Sequence, residues 1–171
     1  MPYNSYGNGA GMRIAPVAYV GKTIEEVKFL SQIVTEVTHN HPEGIKAAEA
    51  IAVATFMAKQ KESKLTIKKY LQKHYYPLNV TLDEIRPTYT FDVTAQGSTP
   101  QAIVAFLESD SFEDAIRNAI SIGGDSDTIA AMTGSIAEAF YGIPKEIETK
   151  ALSYLTPDLK KIVKRFQQKY R

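Results

Sequence analysis

The sequence contains no cysteine, which excludes disulfides, thiolate zinc sites and a cysteine nucleophile together. A chain of this kind suits a reducing compartment, and a cytoplasmic location is the expectation. It also lacks an excess of either charge. Twenty basic residues stand against 19 acidic ones, so no global field draws nucleic acid or an anionic membrane, and an anionic ligand has to be caught locally. Long apolar runs are missing as well: the richest, Ala47 to Ala58, is interrupted by Glu49 and is too short to span a bilayer. The start, Met1-Pro2-Tyr3-Asn4-Ser5, has neither the basic nor the apolar region of a secretory signal. No repeat, low-complexity tract or linker interrupts the chain. With 44% hydrophobic and 23% charged residues over 171 positions, the composition is that of one folded domain covering 1–171.

Convincing strand patterns are scarce too. Apart from the irregular region between Leu78 and Gly97, which holds the short alternation Tyr89-Thr90-Phe91-Asp92-Val93, the periodicity is helical, and the fold class is all-α. Thr23-Ile24-Glu25-Glu26 has capping-box spacing and leads a helix whose apolar stripe is Ile24, Val27, Leu30, Ile33, Val34 and Val37. Pro42 suits a first helical position ahead of an alanine-rich segment reaching Lys59, and a third helix runs from Leu65 to Tyr75. Thr81 to Glu84 predicts a short turn of helix that Pro87 ends. Helical order then returns at Thr99-Pro100, and again from Phe112 to Ile120, where Gly123 and Gly124 terminate it. Further helices are expected from Thr128 to Tyr141 and after Pro144 and Pro157.

Two motifs carry chemistry. In Gly123-Gly124-Asp125-Ser126-Asp127-Thr128, two carboxylates and a hydroxyl converge on a helix start. Asp127 as an N-cap with Asp125 favoured by the helix dipole explains one aspartate. Two held close together repel unless a cation or a proton lies between them. Carboxylate and hydroxyl oxygens suit a hard ion such as Mg²⁺ or Mn²⁺, whereas zinc would require Cys or His. A calcium EF-hand is excluded by Ile129, which stands where that loop needs an oxygen. Six ligands are needed and three are offered, so water, substrate or another stretch of protein has to supply the rest.

The second motif, Ser5-Tyr6-Gly7-Asn8-Gly9-Ala10-Gly11-Met12-Arg13, sets three alternate glycines beside an arginine. Concave runs of backbone N–H groups bind phosphate, and Arg13 adds charge; a flexible N-terminal tail is the competing reading. Met12 occupies the third-glycine position of a dinucleotide fingerprint, and no Gly-Lys-Ser/Thr of a P-loop is present. His39 and His41 lie two residues apart at a helix junction, where capping or ligand stacking fits better than a shared metal.

Taken in order, Ser5-Tyr6-Gly7-Asn8-Gly9 with Met12-Arg13, Thr38-His39-Asn40-His41-Pro42-Glu43, Gln96-Gly97-Ser98 and Gly123 to Thr128 resemble the ADP-ribosylglycohydrolase family, particularly its bacterial dinitrogenase-reductase-activating type. The resemblance implies an orthogonal multi-helix bundle, two divalent ions (Mg²⁺ or Mn²⁺), ADP-ribose or an ADP-ribosylated substrate, and hydrolysis of a glycosidic bond. It places Asp125, Asp127 and Thr128 among the metal ligands. The loop Ser5, Tyr6, Gly7, Asn8 and Gly9, with Arg13, is placed on the diphosphate, and His39 near the adenosine end. The family's upstream Thr-Asp-Asp-Thr motif, which supplies the other ligands and the catalytic carboxylate, has no counterpart here. The adjacent acidic pairs Glu25-Glu26, Asp83-Glu84 and Glu113-Asp114 read as helix starts.

The resemblance therefore implies the C-terminal part of the family fold, without its N-terminal portion. No catalytic residue is assigned. Three functions follow: a glycohydrolase inactive alone or completed by an N-terminal fragment, a non-catalytic ADP-ribose or nucleotide-binding module, and a helical interaction protein. Apolar faces left by a partial bundle favour a homo-oligomer.

Overall fold

The computed structural model describes residues 2–170 and contains helices and loops, with no strand among the described residues. Among the described residues eleven helices follow one another: α1 Gly9–Met12, α2 Val17–Val20, α3 Ile24–Glu36, α4 Pro42–Lys59, α5 Lys64–His74, α6 Leu82–Ile85, α7 Ala95–Leu107, α8 Phe112–Ser121, α9 Ser126–Tyr141, α10 Lys145–Ser153 and α11 Pro157–Tyr170. No helix among the described residues is long and apolar enough to cross a membrane.

The alanine-rich α4 is the axis of the molecule. Residues Ala50 to Ala58 are all buried, so this helix is enclosed on every side, and its small side chains admit α1, α3, α7 and α9 against it. Phe106, Ile103, Ile129, Met132 and Ile136 fill the space between α7, α9 and α4. Each acidic pair read as a helix start lies in a first turn: Glu25-Glu26 in α3, Asp83-Glu84 in α6 and Glu113-Asp114 in α8. Glycines end two helices. Gly123 and Gly124 follow α8 with φ of 77° and 65°, and Gly142 follows α9 with φ of 80°.

Two expectations change, the start of α7 and the face of α3. The helix expected at Thr99-Pro100 begins at Ala95, with Pro100 inside it. Thr94 caps it by accepting from Gly97 N at 3.1 Å, and the Ser98 hydroxyl faces the carbonyls of Asp92 and Thr94 at 3.0 Å each, so local hydrogen bonds hold a first turn that glycine and proline disfavour. Residues 89–93 form a loop, whose exit makes one isolated bridge, Gly7 to Thr94. The predicted stripe of α3 is split. Val27, Ser31 and Thr35 face the core, while Phe29, Ile33 and Val37 are 64%, 43% and 64% exposed along the opposite side. At the other end, α10 and α11 lie on the periphery without a buried residue.

Candidate functional site

The glycine loop is folded rather than a loose tail. Tyr6 accepts from Ala95 N at 2.7 Å, and Asn8 N donates to Val93 O at 2.9 Å, which fixes the loop to the entrance of α7. The first turn of α4 approaches it so closely that a Cβ on Gly44 would lie 3.0 Å from Ser5 O. Asn8 reaches the start of α9, where its Nδ2 donates to Asp125 Oδ2 at 2.6 Å. Residues 5–9 therefore rest on the N-termini of α4, α7 and α9. Each end carries positive partial charge, which Glu43 in the first turn of α4 and Asp125 and Asp127 at the start of α9 partly offset.

His39 adds a donor to this cradle. It is 7% exposed, and Arg13 Nη2 lies 3.1 Å from its Nδ1, with Thr38 Oγ1 at 2.9 Å. A guanidinium only donates, so Nδ1 accepts and the proton of the neutral ring sits on Nε2. Burial first, and then the Arg13 charge, hold His39 below its ordinary pKa and keep it neutral. Nε2 faces the loop: a Cβ on Gly9 would lie 3.5 Å from it, and one on Gly7 would lie 3.7 Å away. Neither glycine has positive φ, and neither Cβ would meet more than ordinary contact distances. Packing does not require glycine at 7 or 9, and the bare backbone there lies open to the His39 ring. His41 caps α4, accepting from Glu43 N at 3.1 Å, and its ring lies 5.4 Å from the exposed Tyr6 ring.

The aspartates behave differently from a capping pair. Asp125, rather than Asp127, occupies the N-cap position of α9, yet its side chain makes no capping hydrogen bond and turns to Asn8 instead. Asp127 is exposed in the first turn, and its side chain has no hydrogen-bond or ion-pair partner among the described residues. Thr128 is 7% exposed, with its hydroxyl 3.6 Å from Met12 Sδ, a poor acceptor. In kind, this donor set matches a hard divalent cation; in number it falls short, since no group of three His, Cys, Asp or Glu converges among the described residues.

Ser5 to Gly9, Arg13, His39 and Asp125 thus come together, with Asp127 and Thr128 in the first turn of α9. The irregular segment Arg86 to Ser98, where the sequence offers either a functional loop or packing aromatics, supplies the support beneath them. Asp92 Oδ1 accepts from Thr94 N at 2.7 Å, and a Cβ on Gly97 would collide with the same carboxylate. Tyr89 packs under Gly124, where a Cβ would lie 2.5 Å from its Cε1, and its hydroxyl donates to Gly97 O at 3.0 Å. The spacing Asp92-x-Thr94-x-x-Gly97 is a legible turn-then-cap signal; the Tyr89 contact has no local signature.

An all-α frame thus brings the glycine loop beside the first turn of α9, and known proteins share this fold. The ADP-ribosylglycohydrolase family model matches residues 1–171. Similar proteins include ADP-ribosylhydrolase ARH3 of Homo sapiens, 27% identical over 85% of this chain and 53% of its own length. ADP-ribosylarginine hydrolase Tri1 of Serratia proteamaculans is 30% identical over 81% of this chain and 41% of its own length. A solved structure, an ADP-ribosylglycohydrolase-related protein complex, superimposes with a TM-score of 0.67 at 25% identity, covering 86% of this chain and 58% of the other. The chain belongs to the ADP-ribosylglycohydrolase family, in the all-α fold of that neighbour. It spans about half the length of the curated relatives it matches.

Proposed function

We propose that this chain supplies the ADP-ribose-holding side, and part of the divalent-cation site, of a glycohydrolase that cleaves an ADP-ribosyl glycosidic bond. The observation that carries this reading is the pair of glycines that packing does not demand, facing the Nε2 proton of His39 over three helix N-termini. Diphosphate oxygens fit that cradle: they accept from Nε2 and from backbone N–H groups, and the helix ends offset their charge. Asp125, Asp127 and Thr128 would hold Mg²⁺ or Mn²⁺ beside it. Such an ion lowers the pKa of a bound water and polarises substrate oxygens.

The missing ligands and the catalytic carboxylate come from a further polypeptide segment, and the exposed ridge Phe29, Ile33 and Val37 offers a face for such a partner or for a second copy. Titration calorimetry with Mn²⁺, with and without ADP-ribose, tests the reading. Binding in the micromolar range that is lost in Asp125→Ala with Asp127→Ala supports it; no heat from either ligand at millimolar concentration overturns it. Release of ADP-ribose from a modified protein is expected only once the complementing segment is added. A second reading, a non-catalytic ADP-ribose-binding module, is favoured by the absence of a third carboxylate near Asp125 among the described residues. It predicts ADP-ribose binding of equal strength with and without metal.

A further inference from the structure

We propose that Asn8 is a positioning residue whose carboxamide couples the glycine loop to Asp125, so that a divalent cation and ADP-ribose bind with positive linkage. The inference rests on the function proposed above for its ligand arm and on geometry alone for the rest. Asn8 is 6% exposed, buried behind the loop rather than turned to its open side. A carboxamide nitrogen has two hydrogens, and both are committed: one to Asp125 Oδ2 at 2.6 Å, the other to Ser98 Oγ at 3.0 Å.

The polarity of these bonds is fixed. The Ser98 hydroxyl has a single hydrogen, which faces the carbonyls of Asp92 and Thr94, so towards Asn8 it can only accept. The Asp125 carboxylate likewise only accepts. Position 8 must therefore present an NH₂ group of this length; an isosteric carboxylate would set acceptor against acceptor, and glutamine would overreach. The backbone of Asn8 is bound to Val93 O as well, so the residue ties together the loop, the entrance of α7 and the start of α9.

The tie also accounts for the behaviour of Asp125. A carboxylate at an N-cap position ordinarily accepts from its own helix, whereas here the charge-assisted bond from Asn8 draws it away. Its orientation consequently depends on where the loop stands. Holding an anion on Gly7, Gly9 and His39 fixes Asn8, and with it the carboxylate oxygen that Asn8 leaves free; holding a cation on that oxygen fixes the loop in return. Coupling of this kind is reciprocal by thermodynamic necessity.

The experiment has two arms on the whole chain. In the ligand-free protein, hydrogen exchange at the Ala95 amide, which binds Tyr6 O, is followed by NMR. Asp125→Ala is expected to speed that exchange by about tenfold in the wild-type background and by less than about twofold in Asn8→Ala. Equal acceleration in both backgrounds overturns the coupling. Asn8→Asp and Ser98→Ala repeat the cycle should Asn8→Ala unfold, with Asn8→Asp expected to match the alanine variant despite its shape. In the second arm, Mn²⁺ is expected to raise ADP-ribose affinity by about tenfold in wild type, and this ratio falls to about one in Asn8→Ala whatever the separate affinities become. A ratio that survives the substitution overturns the inference. If neither ligand binds wild type, the functional reading and the linkage fall together, while the exchange arm still decides whether Asn8 couples the segments.

Discussion

Gly123 and Gly124 look alike in sequence and have similar backbone angles, yet they stand in different surroundings. At Gly123 a side chain would meet nothing within 4 Å, so Gly123→Ala costs only the strain of positive φ, about 1 kcal/mol. At Gly124 the same methyl would also press on Tyr89, 2.5 Å away. Gly124→Ala is expected to lose about 2 to 3 kcal/mol in denaturant titration, clearly more than its neighbour, and equal losses would remove Tyr89 from the account. His39 supplies a pH test. Its folded pKa lies below its ordinary value of 6.5, so its contribution to stability is complete above that value and is lost as pH falls through the folded one. Melting temperature should drop between about pH 7 and about pH 5 more steeply in wild type than in His39→Gln, and parallel curves would contradict the geometry. At this scale the glycine motif was legible because alternating glycines are rare, and the acidic pair because one cap explains only one aspartate. That Asp125 leaves its helix for Asn8 was not legible, since its partner lies 117 residues away.

Helix α7 shows how a tertiary setting overrides local preference. Pro100 has no N–H to give, and Gly97 weakens the turn before it, so the pattern alone places the helix start at the proline. The observed start at Ala95 depends on Thr94 as cap, on the Ser98 hydroxyl and on the carbonyl of Gly97 held by Tyr89. Thr94→Ala should cost about 1 kcal/mol by chemical denaturation, and it should loosen the glycine loop, because Thr94 is the residue that bridges to Gly7. A melting curve indistinguishable from wild type would mean that Ser98 alone suffices. The alanine-rich α4 was easier to read: a helix with small residues on every face has nowhere to go but the centre. In α3 the period was right and the assignment of its face was not. A polar pair, Ser31 and Thr35, fits against α4, and the larger apolar side chains point the other way.

That reversal matters for the whole molecule. Phe29, Ile33 and Val37 follow one another at i, i+4 spacing, forming a ridge along α3 whose C-terminal end runs directly into Thr38 and His39. Sedimentation of the purified chain is expected to show association, which Phe29→Glu with Ile33→Glu reduces without lowering the melting temperature, since neither side chain contributes to the core. A wild-type chain that stays monomeric at high concentration would separate the ridge from any self-contact. Fold class was legible from periodicity because nearly every helix carries its own start and stop signals; the convergence of three N-termini was not, because it is a property of packing.

The Asn8 tie also bears on how the site comes into being. Its two side-chain bonds close loops of 90 and 117 residues, among the most non-local contacts such a chain can make, and contacts of that reach form late because loop closure precedes their reward. The glycine loop is made before α7 and α9 and has nothing to lean on until they exist. On the function proposed above, a ribosome-bound chain that has not yet extruded residue 125 should be blind to ligand, so binding competence waits for the start of α9 to meet the loop.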